Sequence, residues 1–405
     1  MDIEQEVSRQ LELLKRGVEE LVGEKELKDK IKKSLETGIP LKIKFGIDPT
    51  GNSIHIGHAV PIRKLKQFQD LGHTVQFLIG NYTAKIGDPT GKSETRKILS
   101  DEQISENIKD YLNQVSLILD IEKIEVRYNA DWLSKLKMED VFYLMSQFTV
   151  SQMISREDFS NRLKENKPVS LVEFMYPIMQ GYDSVALECD VELGATEQKF
   201  NILRGRDLQR AYKQKPQVCM LMPILEGTDG VEKMSKSLGN YIGLIDTPND
   251  IFGKVMSISD ELMIKYYKMT TEIPVEEIEK MAEEIKNGQL HPMEAKKRLG
   301  EEIVKLYHGE EKAQASRNYF EQKFSKRVTP DDLPEFKLEE EELSILDLLF
   351  EKLKFSASKS DARRLIKGNA VKINDEKITD MNAMIKIESG MVVRAGKKKI
   401  VKIIK

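Results

Sequence analysis

The stretch that most restricts the fold of this chain is residues 41–80, where the spacing of apolar side chains switches from strand to helix and back. Leu41-Lys-Ile43-Lys-Phe45-Gly-Ile47 alternates apolar and polar residues, as a strand with one buried face does. Asp48-Pro49-Thr50-Gly51 halts it. From Ala59 onward Ile62, Leu65, Phe68 and Leu71 recur at helical spacing as far as Gly72, a residue suited to a left-handed helix end. Thr74-Val-Gln-Phe-Leu-Ile79-Gly80 then reads as a second, buried strand. Strand, helix and strand in this order predict a parallel sheet, hence an α/β, Rossmann-like domain.

The join between the first strand and the helix carries Ser53-Ile-His55-Ile-Gly57-His58. A helix N-terminus offers unpaired amides and the positive end of the helix dipole, where phosphate binds readily. His55 and His58 would aim ring donors the same way, and Gly57 lets a ligand approach the backbone. Read alone, the same residues also describe a capped surface turn. Farther on, Glu232-Lys233-Met234-Ser235-Lys236-Ser237-Leu238-Gly239-Asn240 places two lysines in a hydroxyl-rich loop that could hold a phosphate chain. A solvated basic turn is the plain alternative. Asn81–Ser93 invites comparison with a Walker loop, but Gly87 and Gly91 stand too close together for one.

At 405 residues the chain can hold two or three domains. Charged residues make up 32% of it, against about 25% in an average protein, a balance that suits a heat-adapted source. Cys189 and Cys219 form no Cys-x-x-Cys pair, so free thiols in a reducing compartment are expected. The acidic N-terminus does not resemble a secretory signal, and no apolar run is long enough to span a membrane, which makes the cytoplasm the expected location. Residues 351–405 hold fifteen Lys and Arg against six Asp and Glu, a basic module on an acidic body that points to a polyanionic partner.

Residues 1–38 read as an amphipathic helix with Leu11, Leu14, Val18, Leu21 and Val22 on one side. A helix near 102–119 and a strand near 124–128 follow. Residues 130–180 are helical and apolar on one side (Val141, Phe142, Leu144, Met145, Phe148, Met153, Leu171, Phe174, Met175), as either core or subunit interface. The sheet resumes at 217–222. The expected division is a catalytic domain over 1–248, a helical domain over 249–330, a linker over 331–343 and a small α+β domain over 344–405.

His55-Ile-Gly-His58 together with Lys233-Met-Ser-Lys236-Ser237 resembles the paired signatures of class I aminoacyl-tRNA synthetases. The likeness narrows through Gly-Ile-Asp48-Pro-Thr50, Ile-Gly87-Asp88-Pro-Thr-Gly, Tyr176-Pro-Ile-Met-Gln180-Gly-Tyr-Asp183 and Leu193-Gly194-Ala-Thr-Glu197-Gln198. These stand in the order found in bacterial tyrosyl-tRNA synthetases, over nearly the whole chain. Ser358-Lys359-Ser-Asp361-Ala-Arg363-Arg364-Leu-Ile366-Lys367 resembles the S4 RNA-binding module that such enzymes append.

The resemblance implies an ATP-dependent tyrosine–tRNA ligase, commonly a homodimer, with L-tyrosine, ATP and tRNA(Tyr) as partners. It implies Mg²⁺ accompanying ATP, with no metal-ligand cluster on the protein. Thr50, His55 and His58 would meet the triphosphate, Lys233 and Lys236 would close over the pyrophosphate, and Lys92 and Arg96 would assist from the other side. Met234 and Ser235 belong to the same loop; Asp48, Gly57, Gly194 and Glu197 would contact the nucleoside half. Asp183 would accept the phenol hydroxyl, while Tyr176, Gln180, Asp88 and Gln198 would hold the ammonium group, with Thr83 and Lys44 also lining the tyrosine site. Lys359, Arg363, Arg364 and Lys367 would contact RNA phosphates. Two positions depart from the family pattern. Lys44 stands where many members have a tyrosine that also contacts the substrate hydroxyl, and Glu197 where many have aspartate. The rival readings are the tryptophanyl enzyme of the same subclass and a non-catalytic RNA-binding protein on a synthetase-like body.

Overall fold

A computed structural model describes residues 2–49, 54–88, 100–325, 333–368, 370–374, 376–396 and 399–405. The chain divides into two compact units, residues 1–317 and 318–405.

The first unit is built on a six-stranded sheet. Its strands are β1 (Glu20–Val22), β2 (Lys42–Ile47), β3 (Thr74–Ile79), β4 (Ile124–Tyr128), β5 (Val191–Ala195) and β6 (Val218–Met222). They lie in the order β1-β6-β5-β2-β3-β4, all parallel except β1, which pairs antiparallel with β6. The chain runs β2 to β3 to β4 on one side and then crosses to β5 and β6 on the other. The direction of winding therefore reverses between β2 and β5, and ligands of open parallel sheets bind in the crevice at such a reversal. Apolar residues fill one face of the central strands, with Ile43, Val75, Phe77, Ile79, Val191 and Val218 wholly buried, while the other face also buries Lys44, Gln76 and Glu192.

Helices α1 (Ile3–Lys15), α2 (Glu24–Thr37), α3 (Ile56–Asp70) and α4 (Asp101–Val115) precede the insertion. The single helix expected over 1–38 is broken: Gly17 and Gly23 adopt φ of 72° and 97°, and between them Leu21 and Val22 leave the helix for β1. The insertion comprises α5 (Ala130–Leu133), α6 (Met138–Ser146), α7 (Val150–Ile154), α8 (Glu157–Lys164) and α9 (Leu171–Ala186). Its apolar residues divide. Leu144 and Met153 pack with Ile178, Val185 and Leu208, whereas Phe142, Met145 and Leu171 face outward with 63%, 48% and 81% of their surface exposed.

After α10 (Lys199–Ala211) come the helices of the charged segment: α11 (Pro248–Ser257), α12 (Asp260–Thr270), α13 (Val275–Lys286), α14 (Pro292–His308) and α15 (Glu310–Phe320). They are not detached from the sheet, for Arg63 on α3 donates to the carbonyl of Thr270 at 2.7 Å.

In the second unit β7 (Glu335–Lys337) and β8 (Glu342–Ser344) lead into α16 (Ile345–Asp347) and α17 (Lys359–Lys367). Then come β9 (Val371–Ile373), β10 (Glu376–Lys377), β11 (Met384–Lys386), β12 (Val392–Ala395) and β13 (Lys399–Ile404). The expected linker over 331–343 is partly structural. β7 pairs in parallel with β13, and Leu338 is buried in the core of this unit beside Ile345 and Ile403.

Among the described residues no helix is long and apolar enough to cross a membrane.

Candidate active site

The two signatures, far apart in sequence, are stitched together by backbone. Ile54 and Ile56, at the entry to α3, exchange hydrogen bonds with the segment that follows the lysine loop: Ile56 N donates to Ile242 O at 2.9 Å and Leu244 N to Ile54 O at 3.1 Å. His55 and Gly243 form an antiparallel bridge. The buried Met234 anchors the loop itself, its Cβ lying 3.7 Å from where a side chain at Gly57 would begin. Asn240 is the loop's post. It accepts from Ser235 N at 2.8 Å and donates to Asp229 at 2.6 Å and to Lys233 O at 3.2 Å.

At the start of α3 the rings of His55 and His58 stack, centroids 3.7 Å apart at 20°. Gly57 permits this, since a Cβ there would meet His55 Nδ1 at 3.0 Å. Burial, the neighbouring His58 and Lys236 push the His55 pKa down to about 2. His58 falls to about 4 through desolvation and the charges of Lys233 and Lys236. His58 is open to solvent on one side, but two cations face it, so the downward direction stands. Both rings are neutral at pH 7 and act as hydrogen-bonding groups. His55 Nδ1 is buried without a hydrogen-bond partner among the described residues, as suits an atom that awaits a ligand.

Asp183 sits at the other extreme of the site. On α9 it shares one helical face with Tyr176 and Gln180, spaced four and three residues apart. It is buried, and its carboxylate accepts from Trp132 Nε1 at 2.8 Å and Asn129 Nδ2 at 3.3 Å. Burial raises its pKa to about 7, against the opposing pull of Lys44, Trp132 and Asn129. Asn129 also donates to Thr83 Oγ1 at 3.0 Å; Thr83 donates to Asp48 Oδ1 at 3.0 Å; and Tyr176 Oη donates to Asp48 Oδ2 at 2.8 Å. One polar chain thus joins Asp183, Thr83, Asp48 and Tyr176. Asp48, expected beside the nucleoside, is held within it. Gly80 makes room, because a Cβ there would lie 2.1 Å from Asp48 Oδ1.

A second cluster holds Asp88 and Gln198. Gln198 Nε2 donates to Asp88 Oδ2 at 2.7 Å, and the buried Arg156 reaches Asp88 Oδ1 at 3.2 Å. Glu197, expected at the ribose, accepts from Lys233 Nζ at 2.9 Å. The space beside Gly194 is filled by Ile202, whose Cδ1 would lie 2.4 Å from an added Cβ, so the missing side chain lets β5 pack on α10 and only the backbone of this glycine is left to meet a ligand.

Lys44 departs furthest from expectation. It is wholly buried, and its ammonium donates to Gln180 O at 2.9 Å and Ser184 Oγ at 2.8 Å while pairing with Glu192 Oε1 at 2.9 Å. With three hydrogens and three partners, it has none left over for a substrate in this arrangement.

Thr50, Lys92 and Arg96 lie outside the described residues. In the second unit Arg363, Arg364 and Lys367 stand on the exposed face of α17, opposite the buried Ala362 and Ile366. Lys359 is offset by Asp347 at 2.6 Å and Glu351 at 3.1 Å. Sequence reasoning missed Trp132, Asn129, Arg156, Glu192 and the bracing role of Asn240. For the first two a signal existed: they follow the carboxyl end of β4, where parallel sheets place ligand residues, and Trp132 is the only tryptophan in the chain.

Residues 12–325 match the family of tRNA synthetases class I (W and Y), and residues 325–403 match the tyrosine–tRNA ligase SYY-like C-terminal domain. The tyrosine–tRNA ligase of Moorella thermoacetica is 49% identical over 401 residues, covering 99% of this chain and 97% of its own. That of Carboxydothermus hydrogenoformans is 50% identical over 404 residues, with 98% of each chain covered. The crystal structure of the Archaeoglobus fulgidus tyrosyl-tRNA synthetase complexed with L-tyrosine shares the fold, with a TM-score of 0.60 at 24% identity over 77% of this chain and 99% of that one. The chain therefore belongs to the class I tRNA synthetases for tryptophan and tyrosine, on the branch whose full-length relatives are tyrosine–tRNA ligases.

Proposed function

We propose that the residues gathered around β2, β5 and α9 carry out tyrosine activation, and that the second unit brings tRNA(Tyr) to them. Ligation of tyrosine to tRNA at the expense of ATP is the reaction of the branch to which the chain belongs. In the first step a carboxylate oxygen of tyrosine attacks the α-phosphorus of ATP, the bond to the bridging oxygen breaks, and pyrophosphate leaves with those electrons. In the second, the terminal ribose hydroxyl of the tRNA attacks the activated carbonyl and AMP leaves. Neither step needs an enzyme nucleophile. The protein aligns the reactants and neutralises charge that develops at phosphorus and on pyrophosphate.

His55, His58 and the amide end of α3 take the triphosphate, a role the family likeness also gives Thr50, and Lys233 and Lys236 meet the departing pyrophosphate. The family likeness assigns Lys92 and Arg96 to assist in neutralising the developing charge. Glu197 and the backbone at Gly57 and Gly194 serve the nucleoside. Asp183 accepts the phenol O–H; Asp88, Gln198, Tyr176 and Gln180 surround the ammonium group, with Asp48 and Thr83 bracing Tyr176. Mg²⁺ enters with ATP, held by phosphate oxygens and water. The exposed Phe142, Met145 and Leu171 suit contact with a second copy of the chain. Helices α11–α15 suit anticodon recognition, and α17 supplies phosphate contacts through Arg363, Arg364 and Lys367.

The observation that carries this reading is the hydrogen-bonded seam between Ile54–Ile56 and Ile242–Leu244, which sets the histidine turn and the lysine loop side by side. Amino-acid-dependent exchange of pyrophosphate into ATP tests it. Tyrosine should support exchange and tryptophan should not; equal exchange with both would reject the assignment.

A further inference from the structure

Lys44 and Glu192 are direct register partners on the neighbouring parallel strands β2 and β5. Both are buried, and they form an ion pair of 2.9 Å. Such a pair gives up hydration on both sides and is weak evidence of a stabilising role. Here the surrounding bonds point elsewhere. Ser184, the residue after Asp183, accepts from Lys44 and donates to Glu192 Oε2 at 3.0 Å; Gln217 also donates to Glu192. The carbonyl of Gln180, one helical turn before Asp183, is the third acceptor for Lys44. The pair therefore clamps α9 on both sides of Asp183 without touching its carboxylate.

We propose that the Lys44–Glu192 pair is a positioning and specificity device for the amino-acid site, in which Lys44 keeps the Asp183 carboxyl charged and aimed as an acceptor for the phenol hydroxyl. This rests on the assignment of Asp183 to that hydroxyl. Lys44 replaces a second hydroxyl contact by acting through Asp183. Electrostatics agree with the geometry. Burial opposes the charge on Lys44, but Glu192 and Asp183 outweigh it and raise its pKa, while Lys44 heads the influences that offset the burial of Asp183. Among the described residues the other ionisable groups facing this cluster are Tyr176, with Asp48 and Asp88 behind it, the thiol of Cys189, and the thiol of Cys219, which is the register partner of Glu192 on β6.

The test is the pH dependence of KM for tyrosine in pyrophosphate exchange, with phenylalanine as the competing substrate. Lys44→Met should move the pH below which tyrosine KM rises upward by about one pH unit, with tyrosine preference weakened at neutral pH and recovered at higher pH. Glu192→Gln should move it downward. The double variant, which leaves no unpaired buried charge, guards against simple failure to fold. It should be active, with its midpoint between those of the single variants. Asp183→Asn separates the two claims. If it leaves tyrosine preference intact, the assignment of Asp183 fails. If it abolishes preference while Lys44→Met and Glu192→Gln change KM without moving the midpoint, the pair is structural only and the inference is overturned.

Discussion

Lys233 Nζ lies 2.9 Å from Glu197 Oε2, so a cation of the loop proposed to bind phosphate rests on a carboxylate proposed for the nucleotide's ribose. The pair is half-exposed, and such pairs are worth about 0–1 kcal/mol, so an arriving triphosphate can take the lysine at little cost. Lys233→Ala and Lys236→Ala should each slow tyrosyl-adenylate formation about 100-fold, as loss of a transition-state donor does. Tyrosine affinity should stay within about twofold, because the lysines serve the phosphate chain of ATP and not the amino acid. Rapid-quench measurement at saturating substrates checks this, and unchanged rates would remove both residues from the mechanism.

Gly57 offers a smaller perturbation of the same site. Its Cβ would press on the His55 ring at 3.0–3.1 Å and meet Met234 Cβ at an ordinary 3.7 Å, so Gly57→Ala should fold normally with the imidazole displaced. Displacement on the order of 1 Å costs up to about 100-fold in rate. The expected result is a depressed exchange rate with an unchanged melting temperature. A fall in melting temperature with the rate per folded molecule preserved would show that Gly57 serves packing alone.

His73 is buried and neutral. Burial lowers its pKa from 6.5 to about 4, only partly opposed by Asp190. In unfolded chain it binds a proton near 6.5, in the folded chain not until about 4, so between these values the unfolded state holds more protons and stability falls as pH is lowered. The difference corresponds to about 3 kcal/mol, fully present above pH 6.5 and lost on descent to about 4. Urea midpoints should therefore fall less steeply between pH 7 and 4 in His73→Gln than in the parent. Parallel slopes would contradict the burial argument.

Removal of residues 318–405 deletes the second unit whole. Pyrophosphate exchange should persist, while tRNA charging should fall by at least tenfold, since the exposed Arg363, Arg364 and Lys367 go with it. In the full chain, changing these three to Gln should reduce the salt dependence of tRNA binding. Charging that survives truncation would take RNA contact away from this unit.

The periodic elements could be read directly: β2, β3 and β4 fall where alternation and apolar runs place them, because half- or fully buried strands must carry that pattern. β1 could not, since Leu21 and Val22 also fit a helical stripe, and only the positive φ of Gly17 and Gly23 separates the two. The signature residues could be identified as polar groups at strand ends and loops. Their supports are harder to read, even where, as at Trp132 and Asn129, position after β4 gives a hint. Trp132, Asn129 and Glu192 act through partners brought in from other elements, and Lys44, expected to line the tyrosine site, is set against Glu192 only by strand register. Long-range pairing of this sort leaves no local pattern.

The central claim is that a buried carboxylate on α9 reads the substrate hydroxyl while two loops hold the triphosphate. Pyrophosphate exchange with tyrosine and phenylalanine, compared between the parent chain and Asp183→Asn, tests it most directly. Strong preference for tyrosine in the parent and near-equal kcat/KM for the two amino acids in the variant is the expected result, with loss of the charged acceptor costing about 1.5–3 kcal/mol. A variant that still prefers tyrosine as strongly as the parent would contradict the account.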